Sequence, residues 1–283
     1  AKTEVETRRN FINLATNRRR ELTRYKHIDP DLLELKESYF DPVFLELCAS
    51  TSAVDFKQYR IGHQNLGLYQ FPVFTLDFCD RMCAELKNFS SSDFPKPRPN
   101  TMNNYGILLD ELGFRPFFDN LRTQYLTSIS RLLFGPSLVP EFGGLDSHKV
   151  FSVAYSLDGD RSLAWHFDNA EITLNVAIAN ETAYSGGDIV FSGENENKEN
   201  FGSLPLTHKK GWGFLHRGSQ RHSALHIDAG HRENLILWMR SSGYRNQRCP
   251  MCDSAPDPVP VGDDFDYGDG FLIDEDLAVC QTL

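Results

Sequence analysis

The chain of 283 residues is 40% hydrophobic and 12% aromatic, which is enough for a sizeable core in one large domain or in one domain with extensions. Its formal net charge of −10 argues against a protein that mainly binds nucleic-acid phosphates, because that task requires a basic surface. No apolar run is long enough for a transmembrane helix, the charged start lacks the pattern of a secretory signal, and six cysteines are too few for a disulfide scaffold. We therefore expect a cytoplasmic or nuclear protein without a membrane anchor.

The composition divides the chain into three regions. Residues 1–68 carry helical patterning punctuated by proline, and we predict a helical N-terminal extension there. Residues 69–245 show helical periodicity followed by strand after strand, and we predict that they form the main domain. Residues 246–283 are irregular, acidic and rich in proline and glycine, which is typical of a tail, and they hold half of the cysteines.

Two helices are predicted in the first part of the main domain. The first carries an apolar stripe at helical spacing, made by Phe78, Met82, Leu86 and Phe89. Cys79 and Cys83 lie beside this stripe, so we expect both to be buried in the core rather than to bind a metal. The second helix is predicted to begin at about Pro116, a residue favoured in the first turn, and to continue to Leu132.

After Pro140 the period of the apolar residues changes to two, which is typical of strands. Glycine and polar turns separate six candidate strands, which are Lys149–Leu157, Glu171–Ala179, Asp188–Phe191, Gly211–His216, His222–Ile227 and Asn234–Met239. Short strands at these intervals, with helices gathered before them, indicate an antiparallel sandwich or barrel packed by helices. The predicted fold class is therefore α+β with a β core.

The motif His-x-acid is a weak metal signal, since nine histidines and 39 acidic residues should produce about one by chance. The chain holds four such pairs: His27–Asp29, His166–Asp168, His226–Asp228 and His231–Glu233. The first lies in a helical region, and the last two come late, with no histidine beyond them to complete a set. His166–Asp168 is at a strand end, where residues i and i+2 project to the same face. With a second imidazole from a facing strand, the pair would form the 2-His-1-carboxylate site of non-haem iron(II) oxygenases.

The third ligand has three candidates, His216, His222 and His226. His222 follows Asp168 after two strands, so the chain can return to a facing strand, and Arg232 comes ten residues later. An arginine beside the metal can hold the distal carboxylate of a keto-diacid through two parallel hydrogen bonds. We therefore favour His222, while His226, which shares its strand parity, and His216 stay open as alternatives.

The pattern His166-Phe167-Asp168, followed by His222 and Arg232, resembles the prolyl 4-hydroxylase-like branch of the 2-oxoglutarate/Fe(II) dioxygenases. The segments 166–177 and 211–216 also resemble the catalytic domain of lysyl hydroxylases, and the similarity extends from about residue 71 to the end of the chain. The resemblance implies a double-stranded β-helix (jelly-roll) dioxygenase domain in residues 69–245. In that domain His166, Asp168 and His222 would hold iron(II) and, together with Arg232, form the catalytic set.

The resemblance also implies further contacts and a reaction. Tyr155, Asn175 and Trp238 match residues that approach 2-oxoglutarate in such enzymes, although Tyr155 and Trp238 suit a strand core equally well. The implied reaction uses O₂ to convert 2-oxoglutarate into succinate and CO₂ while a substrate C–H bond is hydroxylated. The implied substrate is a lysyl or prolyl side chain of a protein or peptide, and ascorbate is an additional implied cofactor. Many prolyl hydroxylases have lysine where this chain has Arg232, but both side chains bind a carboxylate.

Two other interpretations use the same residues: an oxidase of a small molecule or nucleic acid, and a non-catalytic jelly-roll that binds a partner. The negative charge disfavours nucleic acid, and a complete ligand set disfavours a mere binding module. The polar segment Arg98–Gly106 is expected to be a lid or substrate contact, or else a turn in which asparagine side chains satisfy the backbone. Cys249 and Cys252 form half of a structural zinc pattern, which Cys280 would extend; a labile thiol pair and an unliganded turn are the alternatives.

Overall fold

The computed structural model describes residues 13–63, 66–193, 202–249, 255, 257–258 and 278–279. The helices are α1 (13–22), α2 (Pro42–Ala49), α3 (Leu76–Ser90), α4 (Arg115–Leu121), α5 (Thr127–Phe134) and α6 (Ser242–Arg245), with 3-10 helices at Pro30–Leu33, Glu37–Tyr39, Ala53–Tyr59 and Glu181–Ala183. The strands are β1 (Leu68–Pro72), β2 (Ser147–Ser156), β3 (Leu163–His166), β4 (Ile172–Ala177), β5 (Tyr184–Gly186), β6 (Ile189–Phe191), β7 (Leu204–Leu206), β8 (Trp212–Arg217), β9 (His222–Ala224), β10 (Ile227–Arg240), β11 (Asp257–Pro258) and β12 (Ala278–Val279).

Strands β1 to β10 form two antiparallel sheets. The larger sheet has the order β1-β8-β4-β10-β2, with β5 paired to the start of β10, and the smaller sheet has the order β3-β9-β6-β7. Side chains from both sheets line one cavity, so this cavity lies between the sheets. The predicted α+β class with an antiparallel β core is confirmed.

Alternation along the larger sheet separates two environments. In β10, the side chains that pack into the main hydrophobic core belong to Leu235, Leu237 and Met239. The side chains of β10 that line the cavity belong to Arg232, Ile236, Trp238 and Arg240. The antiparallel register places Arg232 opposite Tyr155 of β2, and Ile236 opposite Asn175 of β4. Because alternate residues of a strand face opposite sides, one register fixes both the core and the cavity wall.

The helices pack on the face of the larger sheet that is opposite the cavity. In α3, the Thr75 hydroxyl accepts a hydrogen bond from the Phe78 N–H and caps the helix, and the predicted apolar stripe is buried. Cys79 is fully buried and Cys83 is partly buried against the same core, as the sequence predicted. No helix of the described residues is long and apolar enough to cross a membrane.

The second predicted helix, Pro116 to Leu132, differs from the structure in one respect. A π-helical turn at Arg122–Leu126 divides it into α4 and α5. The buried Arg122 begins this turn, and its guanidinium donates to the Leu145 carbonyl and, at 2.8 Å, to Asp119. Apolar periodicity reports which face is buried and therefore does not reveal such a change in backbone winding.

Several strand boundaries also differ from the sequence prediction. The predicted strand Asn234–Met239 is the second half of β10, which begins earlier, at Ile227. Its first half is mostly exposed and so lacks the alternation that marks a half-buried strand. The sequence also did not predict six short strands, which are β1, β3, β5, β7, and the pair β11 and β12 in the region expected to be an irregular tail.

The N-terminal region is joined to α3 through the buried carboxylate of Glu85. Its Oε1 accepts from the Tyr25 hydroxyl at 2.8 Å and lies 2.9 Å from His27 Nδ1. Its Oε2 accepts from the backbone N–H groups of Ile28 at 3.0 Å and Asp29 at 3.1 Å. A buried charge requires such partners. Those of the Glu85 carboxylate lie in one short stretch of the N-terminal region, which they join to α3.

A buried cluster of charges joins β2 to α4. His148 Nε2 lies 3.0 Å from Asp110 Oδ1, and His148 Nδ1 lies 3.3 Å from Asp119 Oδ1. Burial alone would lower the pKa of His148, but the two carboxylates outweigh it and raise the pKa above its ordinary value. The folded protein therefore holds this proton more tightly than the unfolded chain does.

We expect this histidine to make stability depend on pH. Its contribution should be complete below the ordinary histidine pKa of about 6.5 and be lost as the pH rises through the raised folded pKa, at about 1.4 kcal/mol per pKa unit. The His148→Gln variant keeps an amide donor but cannot titrate. Urea unfolding at about pH 6 and about pH 8.5 should therefore show a larger stability difference between wild type and variant at the lower pH. Equal differences at both pH values would contradict this account.

Candidate active site

The cavity between the two sheets has a volume of about 240 Å³. Its walls come from β2, β4 and β10 of the larger sheet, from the smaller sheet, and from residues 100–103. All seven residues that the sequence suggested for the site line this cavity, namely Tyr155, His166, Asp168, Asn175, His222, Arg232 and Trp238. The fold thus brings together side chains from distant parts of the chain.

His166, Asp168 and His222 each offer one ligand atom, and these atoms all lie within 4.8 Å of one another. Asp168 Oδ1 is 3.7 Å from His166 Nε2 and 3.8 Å from His222 Nε2. The two histidines face each other in the pairing of β3 with β9. Asp168 follows β3, and its backbone N–H donates to the Gly218 carbonyl at 2.9 Å. A divalent cation between these three side chains can contact all of them.

Each of the three side chains is oriented by a second hydrogen bond. Nδ1 of His166 donates to the Ala164 carbonyl at 2.8 Å, and Nδ1 of His222 donates to the Gln220 carbonyl at 2.9 Å. With the proton on Nδ1, Nε2 of each neutral ring presents its lone pair to the cavity. Asp168 Oδ2 accepts from the Thr173 hydroxyl at 2.7 Å, so Oδ1 is the oxygen that faces the two imidazoles. Two nitrogens and one carboxylate oxygen are the donor set of non-haem iron(II) sites.

The protonation states also suit a metal. Burial alone would raise the pKa of Asp168, but His222, His216, His166 and the Thr173 hydroxyl outweigh it and lower the pKa below its ordinary value. Burial lowers the pKa of His166, and His222 lowers it further, although Asp168 acts in the opposite direction. An ionised carboxylate and a neutral imidazole are the forms that bind metals.

The other two candidate histidines are not part of this cluster. His216 is fully buried, with Nε2 3.9 Å from Asp168 Oδ2, and burial lowers its pKa to about 4. The side chain of His226 is 54% exposed and its Nδ1 lies 3.7 Å from Asp228. The structure therefore groups His222, and not the alternatives, with His166 and Asp168.

Arg232 is a buried cation in the cavity wall, with 3% of its surface exposed. Its guanidinium carbon lies 4.3 Å from the centre of the Tyr155 ring, and Nη1 donates to the Gly187 carbonyl. Within the described residues, Nε has no hydrogen-bond partner and no carboxylate forms an ion pair with the guanidinium. Burial lowers the pKa of Arg232. Asp188 acts on this cation only without contact. A buried cation that no carboxylate contacts is costly, so the site favours an anionic ligand.

Three further cavity residues offer donors. The Tyr155 hydroxyl accepts from Asn103 Nδ2 at 3.2 Å, which leaves its own O–H to donate. Asn175 Oδ1 accepts from Asn234 Nδ2 at 2.7 Å, which leaves the Asn175 amide NH₂. Trp238 Nε1 is buried and has no partner among the described residues. These groups can bind oxygen atoms of a ligand beside Arg232.

Sequence reasoning did not find two of the residues that position the site. Thr173 orients the Asp168 carboxylate, and Asn234 orients the Asn175 amide. The sequence feature that could have indicated such residues is a polar side chain at every second position of an otherwise apolar strand. Thr173 and Asn175 alternate with Ile172, Leu174 and Val176 of the main core in this way.

The predicted zinc site lies largely outside the described residues. Cys249 is described and is buried, whereas Cys252 and Cys280 are not among the described residues. The zinc site therefore stays a prediction.

The chain is 42% identical over 282 residues to the 2-oxoglutarate and iron-dependent oxygenase domain-containing protein 2 of Xenopus tropicalis, covering 95% of this chain and 77% of that protein. The chain belongs to this family. The 2-oxoglutarate and iron-dependent oxygenase domain-containing protein 2 of Danio rerio is 37% identical over 283 residues, covering 96% of this chain and 79% of its own length. A sequence profile described as the OGFOD2-like domain matches residues 22–138, so the similarity to the family includes the helices that precede the cavity.

Among solved structures, prolyl 4-hydroxylase from Phytophthora capsici is similar with a TM-score of 0.51 and 15% identity, covering 74% of this chain and 68% of that chain. This similarity concerns the fold, and it confirms the predicted jelly-roll core. Membership of the 2-oxoglutarate and iron-dependent oxygenase domain-containing protein 2 family confirms the predicted enzyme class, an oxygenase among the oxidoreductases.

We expect the wild-type chain to bind one divalent cation, with Mn²⁺ as a probe in calorimetric titration. His222→Ala should weaken binding by on the order of 100-fold or more, because it removes a ligand atom. Thr173→Val should weaken binding about 10-fold, since partners that orient ligands contribute about 10–100-fold to metal affinity. His226→Ala is the matched control and should bind as wild type does. Loss of binding in His226→Ala with retention in His222→Ala would show that the ligand assignment is wrong.

Proposed function

We propose that this chain is an iron(II)- and 2-oxoglutarate-dependent dioxygenase that hydroxylates a prolyl or lysyl side chain of a protein or peptide. The observation that carries the proposal is the meeting, in one cavity, of three ligand atoms within 4.8 Å and the buried Arg232. A metal site alone suits many reactions. A guanidinium that forms no ion pair with a carboxylate of the described residues adds a place for a dicarboxylic co-substrate.

Iron(II) fits the donor set of His166, Asp168 and His222. These three residues would hold the metal and would leave further coordination positions for co-substrate and O₂. 2-Oxoglutarate fits the adjoining wall, where Arg232 can hold its distal carboxylate by charge and by hydrogen bonds. Tyr155 and Trp238 supply further donors on the same wall, and Asn175 presents its amide there.

The side chains of this protein hold and orient the reactants. Iron(II) supplies the chemistry by which O₂ oxidises 2-oxoglutarate to succinate and CO₂ and inserts one oxygen atom into a substrate C–H bond. Arg232 would hold one end of 2-oxoglutarate in the cavity that the two histidines and Asp168 also line, which would orient its keto acid end. Apolar side chains complete the wall and limit water in the cavity, namely Phe151, Val153, Leu163, Ile189 and Ile236.

The cavity lining favours prolyl over lysyl as the target. Asp168 is the one carboxylate among the described lining residues, and its free oxygen faces the two imidazoles. A lysyl ammonium entering the cavity would find no other acid there, and an unpaired buried charge is costly, whereas a prolyl ring is neutral. Met102 and Phe167 line the cavity and are 39% and 44% exposed, which gives a polypeptide an apolar surface to contact.

Replacing Arg232 tests the co-substrate site. Arg232→Ala should raise the KM for 2-oxoglutarate by about 10- to 100-fold, because a hydrogen bond to a charged group contributes about 1.5–3 kcal/mol. Arg232→Lys should raise the KM for 2-oxoglutarate by less than Arg232→Ala does, since lysine keeps the charge but not the two parallel donors. Succinate release measured against 2-oxoglutarate concentration gives the KM. His231→Ala, at the exposed neighbouring position, is the control and should match wild type. An Arg232→Ala variant with the wild-type KM for 2-oxoglutarate would contradict the proposed role of Arg232 in binding the co-substrate.

A pair of peptides that differ only in proline or lysine at the target position tests the substrate class. We expect the proline peptide to gain one oxygen atom, detected by mass spectrometry, and the lysine peptide to gain less or none. The expected difference is about 10-fold or more, since the lysyl charge must be desolvated without a partner. Hydroxylation of the lysine peptide alone would reverse the preference and leave the enzyme class intact.

A further inference from the structure

The segment Arg98–Gly106 forms part of the cavity wall through residues 100–103. Arg98 holds the segment by donating to the backbone carbonyls of Thr101 at 2.8 Å and Asn103 at 3.1 Å. Gly106 has a φ of +149° and lies so close to β2 that an added Cβ would be 2.0 Å from the Ser152 carbonyl oxygen. The segment is thus fixed at both ends beside the strand that carries Tyr155.

Asn100 has a side-chain orientation that the backbone determines. Its Oδ1 accepts from the N–H groups of Met102 at 2.8 Å and Asn103 at 2.7 Å. A backbone N–H is only a donor, so the oxygen and not the NH₂ of this amide must face it. The Asn100 NH₂ therefore points the other way, and it donates to Asn103 Oδ1 at 3.0 Å.

The hydrogen bond from Asn100 determines the orientation of the Asn103 amide. Because Oδ1 of Asn103 accepts from Asn100, the Asn103 NH₂ faces Tyr155 and donates to its hydroxyl oxygen at 3.2 Å. Asn103 is 1% exposed and Tyr155 is 3% exposed, so water competes little for these bonds. The Tyr155 hydroxyl has Asn103 as its one hydrogen-bond partner among the described residues. Its own proton therefore remains for a ligand.

We propose that Asn100 and Asn103 are positioning residues that keep the Tyr155 hydroxyl as a donor to the carboxylate held by Arg232. The inference rests on the proposed use of 2-oxoglutarate. The guanidinium carbon of Arg232 lies 4.3 Å from the Tyr155 ring centre, so a carboxylate bound to Arg232 meets this wall of the cavity. If the Asn103 amide were reversed, the Tyr155 proton would go to Asn103 and would be lost to the ligand.

The Asn100→Asp variant interrupts this chain of hydrogen bonds with little other change. An aspartate keeps an oxygen for the two backbone N–H groups, but it has no NH₂ to give to Asn103. The Asn103 amide then reverses, and the Tyr155 hydroxyl turns toward it. Affinity for 2-oxoglutarate should fall about 10-fold, as expected for one hydrogen bond, and should equal the affinity of Tyr155→Phe.

The readout is calorimetric binding of 2-oxoglutarate to the full chain loaded with Mn²⁺, which requires no turnover. In the Tyr155→Phe background, Asn100→Asp should not lower the affinity for 2-oxoglutarate any further. A general effect of the aspartate's negative charge would lower the affinity in that background as well. Asn104→Ala is the matched control, because Asn104 binds Asp160 at 2.7 Å and not Tyr155. It should bind 2-oxoglutarate as wild type does. Asn103→Ala is a second variant, which should weaken binding alone but not in the Tyr155→Phe background.

The outcomes separate this inference from the proposed function. A wild-type chain that binds Mn²⁺ but no 2-oxoglutarate overturns the proposed function. A wild-type chain that binds 2-oxoglutarate, with Asn100→Asp and Asn103→Ala binding equally well, overturns the positioning role and leaves the function standing. The positioning role is also overturned if the affinity lost in Asn100→Asp or Asn103→Ala adds in full to the affinity lost in Tyr155→Phe. Full additivity would show an effect that does not depend on the Tyr155 hydroxyl. In turnover, the KM for 2-oxoglutarate should rise while kcat stays near wild type.

Discussion

The site depends on the alternation of side chains along β10 and its partners. Odd positions near the end of β10 fill the core beneath the helices, and the even positions Arg232, Ile236, Trp238 and Arg240 line the cavity. The core residues resist any slip in register, because a shift of one residue would exchange the two faces. Polar groups that would be unfavourable in isolation are therefore held in place by the burial of their apolar neighbours. The free energy that orders the site comes from the opposite side of the sheet.

The three proposed metal ligands and Tyr155 share one arrangement: one atom is bound to the protein and another is left for a ligand. His166 and His222 bind through Nδ1 and present Nε2, while Asp168 binds Thr173 through Oδ2 and presents Oδ1. Tyr155 accepts from Asn103 and keeps its proton. Such half-satisfied groups reorganise little when a ligand arrives, so the cost of ordering them is met during folding.

Sequence was sufficient for what depends on local pattern. Period-two alternation located most of the long strands, and the i, i+2 spacing of His166 and Asp168 placed both at one strand end. Spacing from Asp168 and Arg232 favoured His222 but left His216 and His226 open, because the choice depends on which strands pair. The pairing of β3 with β9 is a long-range property, and it puts His222 opposite His166. For the same reason the bond from Asn234 to Asn175 was not predicted, since it joins residues on different strands.

Glu85 shows how far the folded unit extends beyond the jelly-roll. Its carboxylate is completely buried, and the donors around it come from residues 25 to 29, well ahead of the first strand. A fragment beginning at β1 would keep every residue of the cavity and yet leave an anion stranded inside α3. Trimming this protein to its sheets would remove the partners of that anion and would destabilise the fold for a reason remote from the catalytic chemistry.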